Sequence, residues 1–248
     1  KNRILAKIRH NSVKKILSEL IKYSQDKEKY TDFIDKFGIP IKEGLYQDHD
    51  NREDLLELVR FKSTTEDGYV SLSEYCARMK ADQKNIYYIT GDSEANLKNS
   101  PLLEMYTDKD IEVLIMDQDI DEFVIPSINK YKEYDLKSVN FSDAADDLQT
   151  DENKKEETNL KPLIKKMKKV LGEQVKDVKA SSRLKDSPSC IVADSNDPTA
   201  KMQELMKAMG QPGQQEVKPI LEINPSHAII IKLKDMKKSK SFDNISQL

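Results

Sequence analysis

The chain has 248 residues, with 41 basic and 44 acidic side chains and a formal net charge of −3; 37% of it is hydrophobic and 34% charged, and its mean hydropathy is −0.71. That length allows two domains with real cores, and the composition is that of a soluble, heavily charged, mostly helical chain. No apolar run approaches the roughly 18 residues of a membrane span and no charged-then-apolar leader is present, so no membrane partner is expected, and the slightly acidic balance argues against nucleic acid.

Cys76 and Cys190 lie far apart in sequence, which suits a reducing cytoplasm and reads as two ordinary semi-buried thiols. The first residue is Lys1 rather than Met, which points to a chain that starts mid-protein or after processing.

In chain order, Ile4, Leu5, Ile8, Ile16, Leu17, Leu20 and Ile21 mark a long amphipathic helix. Further helices are expected at 27–36 and 51–59, with Gly38 and Pro40 breaking the chain between them. Asn85 to Thr90 is a β-branched and aromatic run ending at Gly91, the pattern of a buried strand, and Asp110 to Met116 is a second. Between them SPLLEMY reads as a short helix with Pro101 in its first turn. Strand, helix, strand implies a parallel pair joined by a crossover. A helix at 121–130 completes the first domain.

Charge then marks a boundary. From 143 to 157 there are seven acids against Lys154 and Lys155, and the sparse, aperiodic apolar residues suggest a solvated linker or a short exposed helix. From 160 to 185 nine basic residues face Glu173 and Asp177, while Leu160, Leu163, Ile164, Met167, Val170 and Leu171 recur at helical spacing. The lysines are therefore read as the solvated face of a helix that stops at Gly172. Strands are expected at 175–180 and 190–193. Asp197 and Pro198 start another helix, closed by Gly210 and Pro212. Asn224 and Pro225 start the next, with Ile229, Ile230, Leu233 and Met236 on one side, and Ser241 to Asn244 begin one more, with Ile245 and Leu248 on its apolar face.

Catalytic signatures are sparse. The seven glycines stand singly, and the closest pair, Gly210 and Gly213, flanks Pro212, so no phosphate-cradling loop is read. His10, His49 and His227 share no ligand-like spacing with each other or with a cysteine. No serine sits in a nucleophile elbow, and no pair drawn from 44 acids is distinguished from the rest.

One constellation remains. Met202, Leu205, Met206 and Met209 stand at i, i+3, i+4 and i+7, and a methionine-rich stripe adapts to partners of many shapes. The stripe is either core of its own domain or a surface for a partner. Burying four such side chains is worth about 6–12 kcal/mol, the scale of a whole domain's stability, so leaving them exposed needs a reason.

The wording of several blocks goes beyond pattern. KNIYYITG (84–91), IEVL (111–114) and IDEF (120–123) strongly resemble the middle segment of the heat-shock protein 90 chaperone family, bacterial branch. RILAKIRHNSVKKIL (3–17) is similar to the family's helix after its catalytic loop, and NREDLLELVRFKST (51–64) to the helix entering the small middle subdomain. LKPLIKKMKKVLGEQVKDVKASSRLKDSPSCIVAD (160–194) resembles the opening of the C-terminal domain, followed in the family's order by MQELMKAMGQ (202–211) and EINPSHAIIIKLK (222–234).

The resemblance implies an α+β or α/β fold. Residues 1–142 would be the later part of a middle domain, a helical segment plus a small αβα subdomain with strands near 85–90 and 111–116. Residues 143–158 would be an acidic linker. Residues 159–248 would be a small mixed α/β C-terminal domain, incomplete at its end, because the helices that make the family's homodimer would follow Leu248.

It also implies a cytoplasmic, ATP-dependent chaperone that responds to heat shock and other stress and acts on protein folding. In that family ATP and Mg sit in an N-terminal domain, and the arginine that reaches the γ-phosphate precedes Lys1, so this stretch by itself is expected to carry no cofactor and no ATPase activity. Unfolded or partly folded client proteins are the implied partners. The family's client-contact positions fall on Met202, Leu205 and Met206, with Met209 on the same stripe. An aromatic contact falls on Phe123, where many bacterial relatives carry Trp and this chain, which has none, keeps the ring without the indole donor. The other class of function is an α/β scaffold or small-molecule enzyme with a site at the strand ends near Gly91 and Asp117.

Overall fold

The computed structural model describes residues 3–149, 151–210 and 217–236, with residues 151–157 described by their backbone alone. The helix begun at 241 and the Pro212 stop lie outside the described residues.

Helices α1 (Arg3–Tyr23), α2 (Lys27–Gln47) and α3 (Arg52–Leu58) form the entry to the fold. Core contact on α1 begins at Val13 and runs through Leu17, Leu20 and Ile21, while Ile4, Leu5 and Ile8, expected on the same apolar face, are exposed. Helix α2 corrects the expected break, because it continues through Gly38 and Pro40. Its buried face, Tyr30, Ile34, Gly38, Ile41, Lys42 and Leu45, is unbroken at helical spacing. Pro40 lies on the exposed side, where water can take the carbonyl that its missing N–H leaves unbonded.

Five strands make the first sheet: β1 (Lys62–Ser63), β2 (Asn85–Thr90), β3 (Leu114–Met116), β4 (Lys130–Tyr131) and β5 (Tyr134–Ser138), in the order β1-β3-β2-β5-β4. β2 runs parallel to β3, pairing Tyr88 with Leu114 and Thr90 with Met116, and parallel to β5 on its other side. Four short helices decorate it: α4 (Leu72–Arg78), α5 (Glu94–Lys98), α6 (Glu104–Asp108) and α7 (Asp119–Val124).

Alternation across the pleat sends Ile86 and Tyr88 into one core with α1–α4, and Tyr87 and Ile89 into another with α5 and α6. Burial on both faces accounts for the continuous apolar run read from the sequence. β3 is shorter than expected, since Asp110 takes φ +54° and the backbone of Val113 bonds Thr64 instead of a ladder partner. The helix expected at 121–130 ends as α-helix at Val124, and a 3-10 turn (Ile125–Ser127) containing Pro126 follows.

Helix α8 (Asp151–Leu171) continues the acidic stretch into the predicted Leu160 helix without a break, and Gly172 ends it at φ +52°. A second sheet holds β6 (Asp177–Ala180), β7 (Ser189–Val192) and β8 (Ile220–Ile223) in the order β6-β8-β7. Two helices follow β7 and β8: α9 (Ala200–Ala208) and α10 (Ala228–Asp235). Leu160, Leu163, Met167 and Leu171 pack with Val178, Ile223, Ile230 and Leu233 into a third core. Ile229, expected on that side, is exposed.

Both expected helix starts shift. Thr199 caps α9 in place of Asp197, which instead holds Lys176. His227 caps α10 in place of Asn224, whose amide donates to the carbonyls of Lys185 and Ser187.

The two sheets share apolar and polar contacts. Val192 and Ile220 complete the core under Tyr87 and Ile89, and Phe141 forms a parallel bridge with Ala193. At the centre is Arg183, fully buried. Its Nη1 donates to Val139 O (2.7 Å) and its Nη2 to Phe141 O (2.8 Å), while its Nε lies 3.0 Å from Glu222 Oε2. Ser181 Oγ donates to the same carboxylate at 2.8 Å.

Glu104 makes a second tie. Its carboxylate accepts the backbone N–H groups of Lys185, Asp186 and Ser187 at 2.5, 2.9 and 3.1 Å. Burial pushes this carboxyl up, but the Ser187 hydroxyl and those N–H donors outweigh it and hold it below its ordinary 4.5.

Two outcomes are expected. Arg183→Met leaves Glu222 buried without its cation and costs roughly 3–5 kcal/mol in urea unfolding, of which adding Glu222→Gln recovers part; a loss under about 1 kcal/mol would remove Arg183 from this role. For Glu104 the depressed folded value means that its contribution is present above pH 4.5 and fades as pH falls through the lower folded value. Glu104→Gln should cost about 1–2 kcal/mol at neutral pH and flatten the acid limb of the stability profile, the range for bonds to a charged acceptor reduced for partial exposure.

Candidate functional site

Helix α7 carries Phe123 and is fixed at its start by a buried ion pair. Lys42 Nζ of α2 lies 2.7 Å from Asp121 Oδ1, with both side chains almost wholly buried, and also donates to Gln118 Oε1 at 2.8 Å. The ammonium stands 4.9 Å above the Phe61 ring, a cation–π contact. Burial pushes the Asp121 carboxyl above its ordinary value even against the pull of Lys42. Around Phe123 the residues Asp121, Glu122, Val124 and Ile125 are buried, while Phe123 itself is half-buried.

Helix α9 runs beside α7. The Thr199 hydroxyl accepts the N–H of Met202 (3.1 Å), capping the helix, and donates to Glu122 Oε2 (2.8 Å). Lys201 Nζ bridges Asp92, in the turn after β2, at 2.7 Å and Asp119, at the start of α7, at 3.2 Å. These carboxylates hold its ammonium well above the ordinary lysine value.

Met202, Leu205 and Met206 are half-buried and Met209 is 63% exposed. Among the described residues none of the four joins any of the three cores, and α9 buries no side chain. The opposite face of the helix, Ala200, Gln203, Glu204 and Lys207, lines a cavity of about 590 Å³ shared with Gly91 and Ile191. At about 100° per residue the stripe therefore points away from that cavity.

Of the strand ends read as the other candidate site, the one at Asp117 is taken up by a charge pair, while Gly91 lines the cavity beneath α9. Lys62 lies between Asp117 (3.1 Å) and Glu94 (3.0 Å), and Lys201 pairs with Asp92, the residue after Gly91. A Cβ on Gly91 would come within 2.7 Å of the Leu97 side chain, so any larger residue there would require Leu97 to shift. Among the described residues no three His, Cys, Asp or Glu side chains are grouped to hold a metal ion. Burial, with Glu222 4.0 Å from the sulfur, pushes the Cys190 thiol up to about 12, so it is not a poised nucleophile. Reasoning from the sequence missed Thr199, Lys201, Glu122 and Asp92. Only the N-cap preference of threonine three residues before Met202 signalled any of them.

The Hsp90 protein family model matches residues 1–247. Similar curated proteins include Chaperone protein HtpG of Treponema denticola, 49% identical over 100% of this chain and 40% of that protein. That of Treponema pallidum is 47% identical over 94% of the chain and 38% of the relative. That of Sulfurovum sp. is 46% identical over 99% and 39%. The chain thus spans about two fifths of the length of the curated relatives it matches. A match along the whole chain, carried on the mixed fold already described, means that the chain belongs to the Hsp90 family.

Proposed function

We propose that this chain is the portion of an Hsp90-type molecular chaperone that holds unfolded or partly folded client proteins and couples that contact to the ATPase cycle of the full-length protein. The observation that carries the reading is the apolar stripe of α9, which stays outside the cores and runs beside the helix of Phe123. A flexible, partly exposed methionine surface suits clients of no fixed shape. Family membership supports the same assignment. The clients would lie across Met202, Leu205, Met206 and Met209, with Phe123 offering a ring from the neighbouring helix.

ATP and Mg enter this proposal through the nucleotide domain of the full-length protein, not through residues of this chain. The homodimer and the cytoplasmic setting implied by the resemblance belong to the same proposal. No helix among the described residues is long and apolar enough to cross a membrane.

Met206→Ala and Phe123→Ala should each weaken binding of a fluorescently labelled, permanently unfolded protein. The Met206 change should alter stability by less than about 1 kcal/mol, against roughly 2–5 kcal/mol for a core methionine. A Met206→Ala chain that is strongly destabilised yet binds the unfolded protein as tightly as the parent would return the stripe to the core. The purified chain alone should release no phosphate from ATP; turnover that survives removal of contaminants would overturn the division of labour.

A further inference from the structure

Among the described residues α9 has no fully buried apolar anchor, its stripe being half-buried at Met202, Leu205 and Met206. Within its span no side chain is buried, its inner face looks over a cavity, and its apolar face belongs to no core. Its directed contacts to neighbouring elements are polar and lie in its first turn. Thr199 is buried, and its hydroxyl is the donor to Glu122, a carboxylate 4% exposed whose other oxygen has no partner among the described residues. The same hydroxyl caps the helix. Lys201, with its side chain 20% exposed, reaches two carboxylates on different elements, Asp92 and Asp119, which are 68% and 66% exposed.

We propose that Thr199 and Lys201 are positioning residues that set the angle at which α9 presents its methionine stripe beside Phe123, Thr199 as a buried pin and Lys201 as a salt-sensitive clasp. The proposal rests on the reading of the stripe as a client surface and adds how that surface is held. The two parts differ in their physics. The pin is shielded from water, and its loss strips both the cap and the donor to a buried carboxylate. The clasp joins a lysine to exposed acids, so ions compete with it. At 1 M salt the Debye length is about 3 Å, against about 10 Å at 0.1 M. A single cation shared by the turn after β2 and the start of α7 ties α9 to both, so weakening it frees the helix to swing about Thr199.

The absence of tryptophan from the chain provides the measurement. Phe123→Trp places a single indole on α7 beside α9, and its emission reports the position of that helix. In this background the emission should shift to the red between 0.05 and 1 M KCl, concentrations set on the order of the screening range. Adding Lys201→Gln should give the shifted emission already at low salt and abolish the salt response, and Lys201→Arg should restore both. Affinity for the labelled unfolded protein should fall about twofold to fivefold in Lys201→Gln, the range expected for exposed ion pairs. Thr199→Val should shift the emission at every salt concentration. Parental emission in Thr199→Val would overturn the pin; should that variant unfold, Thr199→Ser, which keeps the hydroxyl, must restore both the fold and the parental emission, and its failure to do so overturns the pin equally.

A Lys201→Gln chain with the parental emission and salt response would overturn the clasp. If it does so while Met206→Ala still loses affinity, the clasp falls and the client surface stands. If the emission behaves as expected but neither Met206→Ala nor Phe123→Ala weakens binding, the clasp stands and the client surface falls.

Discussion

A buried guanidinium joins the two sheets of this protein. Arg183 has no access to water, so it requires its charge to be met by Glu222 and its N–H groups by carbonyl oxygens. The carbonyls it uses, at Val139 and Phe141, belong to the chain leaving β5, whereas Glu222 belongs to β8. The second sheet is therefore oriented against the first by an ion pair whose geometry tolerates little change. The Phe141–Ala193 bridge, the nest of N–H groups around Glu104 and the shared apolar core under Tyr87 are then held in register. Apolar contact between the sheets supplies attraction without direction; the directed bonds decide the angle.

The same distinction organises the candidate surface. Helix α7 is tied to α2 through Lys42 and Asp121, and to α9 through Glu122 and Thr199. Phe123 sits between these two buried carboxylates and Val124 and is itself half-buried. Among the described residues the directed bonds from helix α9 to other elements lie in its first turn. A helix nine residues long is marginal in isolation, and this one adds a cap and charge pairs to an apolar face that is only half-buried. Such a construction leaves an apolar stripe available without committing it to the core, which is what a surface for variable partners requires.

Much of this was legible in the residues and some was not, for identifiable reasons. β2 was found to its ends because burial on both faces demands an uninterrupted β-branched and aromatic run. β3 was overestimated because Ile111 and Val113 are buried like strand residues, while their backbone bonds Tyr106 and Thr64. Pro40 suggested a break since sequence does not tell which side of a helix faces water. The caps at Thr199 and His227 were misplaced by a few residues because Asp197 and Asn224 are equally good caps in principle and are engaged elsewhere. The stripe itself was visible at its helical spacing, whereas whether it was buried could not be decided from spacing.

By itself the sequence determined the mixed fold class, the parallel strand pair, the methionine stripe and, through the wording of its blocks, the family. These are local or cumulative properties, carried by periodicity, side-chain type and order along the chain. The tertiary structure alone decided which polar groups meet. Lys201 lies 109 positions from Asp92, Thr199 lies 77 from Glu122 and Arg183 lies 44 from Val139. No periodicity links such positions, and a lysine, a threonine or an arginine in an unfolded chain has no preferred partner. Only when the apolar cores close and exclude water does each buried polar group have to find one, and the partner it finds is whichever the fold has brought within reach.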